Sequence, residues 1–325
     1  MASVDNTPSS TLEGITPTVV YYDSTGSPLP GAPSKAGTYS VTASFTGSAH
    51  YSSASATTAF TIGKAIPRLS IQGSGGTYNG TPSAVTDSVA GVVTGVDDTP
   101  SDSLEGIAPT LSYYDSTGNA LSGPPAGTGD YSILATFPGS TDYTSATASA
   151  AFETGKTWPT VALTDAGGTF NGSAYPAMAT VAGIITGVDD TPAPSLEGVL
   201  LGVMYEDVFS HTIVGAPSQA GTYAVTATFP GSTDYSAVSV GVTFVISPAT
   251  PTIMVTDASG GYTGLPFAAT TTIAGVVAGV DDSPGGSLEG VVPSLTYYDA
   301  TGSALPSAPT QLGTYNVAAT FPGST

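Results

Sequence analysis

A fixed period governs this chain. The string Val-Asp-Asp/Asn-Thr/Ser-Pro starts at Val4, Val96, Val188 and Val280, each 92 positions after the one before. Leu-Glu-Gly follows every copy (Leu12, Leu104, Leu196, Leu288), then a strand-like segment around a Tyr, then Gly-Thr-Tyr or Gly-Asp-Tyr. Self-similarity at constant spacing means one small folding unit used repeatedly. The units are 1–64, 65–156, 157–248 and 249–325. The first is expected to lack its opening strands and the last its closing strand, so the sequence reads as a window on a longer array.

A unit of this length can fold without covalent staples, in keeping with a cysteine count of zero. Residues 65–156 show the pattern best. An opening strand is expected over 66–72, with Pro67 near its start, where a missing N–H is tolerated. A second strand is expected over 84–93 and a third over 110–114, with turn chemistry at Asn79-Gly80 and at Asp115-Ser116-Thr117-Gly118. The clearest strand begins at Tyr131. Tyr131, Ile133, Ala135 and Phe137 alternate with Ser132, Leu134 and Thr136, and the same face recurs at Tyr39, Tyr223 and Tyr315. Period-two alternation, with no sustained helical period, makes the chain all-β.

Gly-Thr-Tyr entering a strand resembles the tyrosine corner of immunoglobulin-type folds, with Val41, Ile133, Val225 and Val317 where a disulfide cysteine would stand. The longer run Gly-Thr-Tyr-x-Val-x-Ala-x-Phe, then Gly-Ser-x-x-Tyr-x-Ser-Ala, closing on Phe60-Thr61-Ile62, is similar to bacterial immunoglobulin-like tandem repeats of the MBG/Big type. The resemblance spans nearly the whole chain. It implies tandem immunoglobulin-like β-sandwich domains of large secreted or cell-surface proteins, serving as stalks and spacers and sometimes as adhesive modules. The connections Gly63-Lys64-Ala65, Gly155-Lys156-Thr157 and Ser247-Pro248-Ala249 are too short for independent tumbling, so a semi-rigid rod is expected.

Charge removes several functions. Against 24 acidic side chains stand 4 basic ones, a net of -20. Phosphate backbones need a basic stripe, so nucleic acid is excluded, and anionic membranes with it. No apolar run reaches the roughly 18 residues that span a bilayer. Thr/Ser-rich, weakly charged strands fit an extracellular protein better than a cytosolic enzyme. His50 and His211 do not share a repeat position, so no triad or metal site is built on them. An internal Lys-to-carboxyl amide needs a Lys in every unit, and Lys35 has no counterpart. Asn79-Gly80-Thr81 and Asn171-Gly172-Ser173 match the glycosylation pattern, but Thr263 in the next unit favours a turn.

The carboxylates carry the one candidate site. Asp97, Asp98 and Glu105 lie in the loop between the second and third strands, recurring as Asp189, Asp190 and Glu197. In such a sandwich that loop shares a pole with the one bearing Asp142 and Asp234. Calcium takes six to eight oxygen ligands of this kind. The competing reading is Asp capping its own backbone in turns, with Glu in solvent. Asp115, at the far end of its strand, is expected either to serve its turn or to face the next unit. Phe209 in the third unit is expected at an exposed loop tip, and Thr144–Ala151 carries no Lys to guard an edge.

These features converge on a non-enzymatic structural segment of an extracellular bacterial fibre, stalk or surface protein. Its expected contacts are neighbouring repeats and other copies of itself, with no cofactor other than calcium. The alternative is an adhesin-type module that binds glycan or protein through its pole loops.

Overall fold

The computed structural model describes residues 7–73, 75–164, 167–257 and 259–324, and Val4, Asp5 and Asn6 of the first repeat string lie outside them. The chain divides into two compact units, Met1–Thr157 and Trp158–Thr325, each holding two repeats. Among the described residues, every regular element is a strand.

In the second repeat, Arg68–Gly73 pairs antiparallel with Val85–Ala90, and a bridge from Val89 to Ser101 extends this sheet. The opposing sheet has five strands in the order Gly76–Thr77, Ala146–Gly155, Gly129–Phe137, Thr110–Asp115 and Ala120–Leu121. The first two of these run parallel. The third repeat reproduces the arrangement: Thr160–Thr164 pairs with Met178–Ala182, and Gly168–Thr169, Val238–Ser247, Gly221–Phe229, Gly202–Asp207 and Thr212–Ile213 form the larger sheet. This is the two-sheet immunoglobulin-like sandwich, present in tandem. The first repeat contributes Thr18–Tyr22, Gly37–Phe45 and Ala54–Ile62. The fourth contributes a two-stranded and a three-stranded sheet.

The core is the alternating face read from the sequence. Ile133, Ala135 and Phe137 are buried, as are Val225, Ala227 and Phe229. Between the sheets, Val89, Leu104, Phe137 and Tyr143 pack together with Leu69 and Ile107 against them. Tyr113, Tyr205 and Tyr297 point inward and are buried. The Tyr205 hydroxyl accepts the Ala177 N–H at 2.7 Å. The tyrosine corner is present in all four repeats: Tyr39, Tyr131, Tyr223 and Tyr315 donate their hydroxyls to the carbonyls of Lys35, Gly127, Gln219 and Gln311, at 3.0, 3.1, 3.0 and 3.1 Å. Each of these acceptors stands four residues upstream.

Several strand limits differ from the sequence reading by one to three residues, and two of them have a clear cause. The opening strand starts at Arg68 rather than Ile66, whose side chain is exposed beside Pro67. The second strand stops at Ala90 rather than Val93. There the Gly91 N–H donates to the Asp97 carbonyl at 2.7 Å and folds the chain away from the ladder. A Cβ at position 91 would overlap the Asp97 carboxyl and the Tyr143 hydroxyl. Only glycine fits, and Gly183 and Gly275 repeat the constraint against Asp189 and Asp281.

Replacing Tyr223 by Phe removes one hydrogen bond and is expected to cost about 1 kcal/mol. Phe229→Ala, emptying a fully buried site, is expected to cost about 3–5 kcal/mol. Native-state hydrogen exchange of the Gly221–Phe229 amides measures both. A neutral Tyr223→Phe would show that the corner is not a stabilising element.

Candidate functional site

The pole carboxylates are each engaged by donors from the chain itself. Asp97 Oδ2 accepts the Tyr143 hydroxyl at 2.6 Å, and its Oδ1 accepts the Val93 N–H at 2.9 Å. One side chain thus joins the loop after the second strand to the loop before the last strand. Asp189 does the same with Tyr235 at 2.6 Å and Ile185 at 2.8 Å. Burial, then the Asp97 hydrogen bond, pushes the Tyr143 hydroxyl above its ordinary pKa. The second acid of each pair locks a tight turn: Asp98 accepts the Gly95 N–H at 2.9 Å and Asp190 the Gly187 N–H at 3.0 Å.

Glu105 does more than sit in solvent. Leu104 and Ile107 exchange both backbone hydrogen bonds, 2.9 and 3.0 Å, around a two-residue turn. Both central residues have positive φ, 52° at Glu105 and 80° at Gly106. Such turns normally take Asn-Gly or Asp-Gly, because a left-handed non-glycine residue costs roughly 1–2 kcal/mol. Glu13, Glu197 and Glu289 adopt the same conformation at φ 50°, 50° and 47°. The compensation is visible across the pole. Glu105 Oε2 accepts the Ser140 hydroxyl at 2.7 Å and the Asp142 N–H at 2.9 Å. Glu197 likewise accepts the Asp234 N–H at 3.0 Å. In the first repeat His50 replaces the Asp, and its Nδ1 lies 2.7 Å from Glu13 Oε1. The Ser48 hydroxyl, then His50, hold Glu13 below the ordinary carboxylate range.

Asp142 is the centre of the joint between the first and second repeats. Its carboxylate receives the Ala36 N–H at 2.7 Å and stands 2.7 Å from Lys35 Nζ, both from the preceding repeat. Lys35 also reaches Glu105 at 3.5 Å. The Asp142 carbonyl accepts the Ala65 N–H of the linker at 2.9 Å, and the Ala65 carbonyl accepts the Thr144 N–H at 2.9 Å. Lys64 Nζ donates to the Ser140 carbonyl at 2.5 Å. The short linker is therefore zipped onto the next repeat as a fragment of parallel strand, Ala65 beside Tyr143.

Electrostatics fix the state of this joint. Burial pulls the Asp142 carboxyl upward, but the Lys35 ammonium and the Ala36 N–H outweigh it, and the group lies below its ordinary value. The hydrogen bond and charge of Asp142 raise Lys35. Lys35 meets Asp142 and Glu105 in an arrangement that an amide cross-link would need, yet its side chain is 66% exposed and stays an ammonium. An ammonium has no lone pair for attack, so the contact is an ion pair.

Asp115 serves its own turn. Thr117 Oγ1 and Asn119 N–H donate to Oδ1 at 2.7 and 2.9 Å, and these donors, Thr117 first, lower its pKa to about 2. Asp23 and Asp299 repeat the lock. In Trp158–Thr325 a different contact joins the repeats. The Asn171-Gly172 turn lies against Val277 so closely that a Cβ at Gly172 would overlap it.

The structure thus brings Asp97, Glu105 and Asp142 to one pole through Tyr143 and Ser140, and Asp189, Glu197 and Asp234 likewise share a pole. Among the described residues, no three His, Asp or Glu side chains gather in a way that would hold a metal ion. The sequence signal for the joint was weak: Lys35 occurs once, and nothing in Leu-Glu-Gly announces a left-handed Glu.

No protein-family model matches the chain, and no curated protein sequence matches it. A solved structure described as "Sidekick-1 immunoglobulin domains 1-5" is similar over 94% of this chain and 69% of that one, at 11% identity and a TM-score of 0.23.

Two outcomes test this site. A carboxylate with a lowered pKa stabilises above its unfolded value and loses that contribution as pH falls; an ammonium with a raised pKa loses its own as pH rises. The joint should be unchanged across neutral pH, weaken below the ordinary aspartate value of 3.8, and weaken again above 10.5. Amide exchange at Ala36, corrected for its intrinsic pH dependence, reads the acid limb. Glu197→Gly should relieve backbone strain while accelerating exchange at the Asp234 amide. Unchanged exchange there would contradict the lock.

Proposed function

We propose that this chain is a non-catalytic spacer segment of an extracellular bacterial surface protein or stalk, built from repeats of the MBG/Big kind. The observation that carries this reading is the zipped joint. Lys35 with two contacts, Ala36 and Lys64 tie the first repeat to the second, and both backbone groups of Ala65 fasten the end of the linker there. A chain whose modules only needed tethering would have no use for a linker held at both backbone groups. A spacer does, because reach depends on joints that resist bending. No helix among the described residues is long and apolar enough to cross a membrane.

A cysteine-free chain takes spin labels cleanly. Labels at one exposed site in each of the first two repeats should give a narrow distance distribution. Asp142→Ala should broaden it while leaving both repeats folded. A broad distribution in the parent chain would remove the spacer reading.

The geometry favours structural roles for the acids over calcium. Bound calcium would compete with the Tyr143 hydroxyl and the N–H donors of Val93, Gly95 and Asp142 for the same carboxylates. Equal melting temperatures in millimolar calcium and in chelator are expected, whereas stabilisation by calcium would restore the metal reading for Asp97, Asp98, Glu105 and Asp142 and their third-repeat counterparts.

One observation favours the adhesive alternative. In the third repeat Val208, Phe209 and Val214 are exposed, Phe209 at 76%, on a hairpin that is polar in the other three. Specific retention on a glycan array, lost in Phe209→Ser, would favour adhesion.

A further inference from the structure

The larger sheet of the second and of the third repeat has one long open edge with few guards. In the third repeat, Val238–Ser247 pairs along nine residues with Gly221–Phe229 on one side. On its other side only Ile246 and Ser247 meet a partner, Gly168–Thr169. Residues 238–245 therefore present one edge of the backbone with no strand beside it among the described residues. In the second repeat Ala146–Gly155 is in the same position, with Gly76–Thr77 covering only Thr154 and Gly155.

Natural sheets blunt such edges with shortness, charge, proline or bulges, and several other edges of the second and third repeats follow that rule. Ala120–Leu121 and Thr212–Ile213 are two residues long. Arg68–Gly73 follows Pro67 and carries Arg68, and Val85–Ala90 carries Asp87. Along the stretches without a partner strand, the long edge has none of these devices until Glu153, at the covered end of the second-repeat strand. Val238-Ser-Val-Gly-Val-Thr-Phe-Val245 contains no charge and no proline, and neither does Ala146-Thr-Ala-Ser-Ala-Ala-Phe152. In a chain with 24 acids, these strips are neutral. Most of their outward side chains are small: Ser239, Gly241 and Thr243 ahead of Val245 in one, Thr147, Ser149 and Ala151 in the other. Small side chains let a neighbouring backbone approach.

We propose that this edge is a homotypic docking surface, on which a second copy of the chain adds its own equivalent strand antiparallel about a two-fold axis. Charge selects the occupant. Two copies, each at -20, repel wherever acidic surfaces meet. The neutral strips are where they can approach, and a strand edge is complementary to itself because each backbone offers alternating donors and acceptors. Pairing about a dyad near Gly241 joins the two larger sheets into one. The contact is independent of the spacer reading, since it requires only an accessible edge.

Sedimentation velocity of the full 325-residue chain tests it, over a concentration series at low and high salt. Dimers should form and should strengthen with salt, which screens the mutual repulsion. A variant carrying S149K, A151K, S239K and T243K places guards on exposed positions outside the core. It should keep the parent's melting temperature and associate at least about ten-fold more weakly. Hydrogen exchange should show added protection in residues 238–245 or 146–152 of the dimer. A parent that stays monomeric at all concentrations in high salt overturns the proposal, as does a folded guard variant that associates as strongly as the parent. Association with added protection confined to the Val208–Val214 hairpin would assign the contact to that tip instead and equally overturn it.

Discussion

Loop backbones need acceptors for their N–H groups wherever water is partly excluded. In a chain with 24 carboxylates, 4 basic residues and no cysteine, the acceptors are carboxylates. Asp97 fastens one loop to another through Tyr143, Glu105 reaches the backbone of a loop 37 positions away, and Asp115 closes its own hairpin. At the first joint the same chemistry works between repeats, where Asp142 receives the Ala36 N–H. Where antibody-type sandwiches use a disulfide between sheets, this one combines an apolar core with acid-to-amide bonds at its poles.

This use of the acids accounts for a composition that otherwise looks wasteful. A net charge of -20 repels the compact state, yet Asp97, Asp98, Glu105 and Asp142 each accept hydrogen bonds from the chain itself. The joints are not copies of one another, although the period is constant. Lys35 is matched by Gly127 and Gln219 at the same repeat position, and Asp142 by His50 and Asp234. The first joint carries an ion pair, whereas the third and fourth repeats meet through an apolar contact at Gly172 and Val277. Variation at the seam within an invariant period points to tuning of individual joints.

Much of the fold was legible because it rests on local pattern. Alternation at Tyr131–Phe137 and Tyr223–Phe229 named the buried face, and Gly-Thr-Tyr named the corner whose hydroxyl bonds span only four residues. The shared pole of Asp97, Glu105 and Asp142 followed from the fold class. The illegible parts depend on distant partners. Glu105 is read as solvent-facing until the Asp142 amide stands beside it, and its left-handed backbone contradicts local preference. The early end of the second strand at Ala90 escapes notice because Val92 and Val93 look like strand residues. Only the overlap of Asp97 with the space beside Gly91 ends the ladder.

The central claim is that a carboxylate of one repeat holds the backbone of the repeat before it. Residue-resolved amide exchange at Ala36 is the most direct measurement, because that N–H is bonded to Asp142 Oδ1 alone. The account predicts protection at neutral pH that disappears in Asp142→Ala while the strand Gly37–Phe45 stays protected. Exchange at the unprotected rate in the parent chain would contradict it.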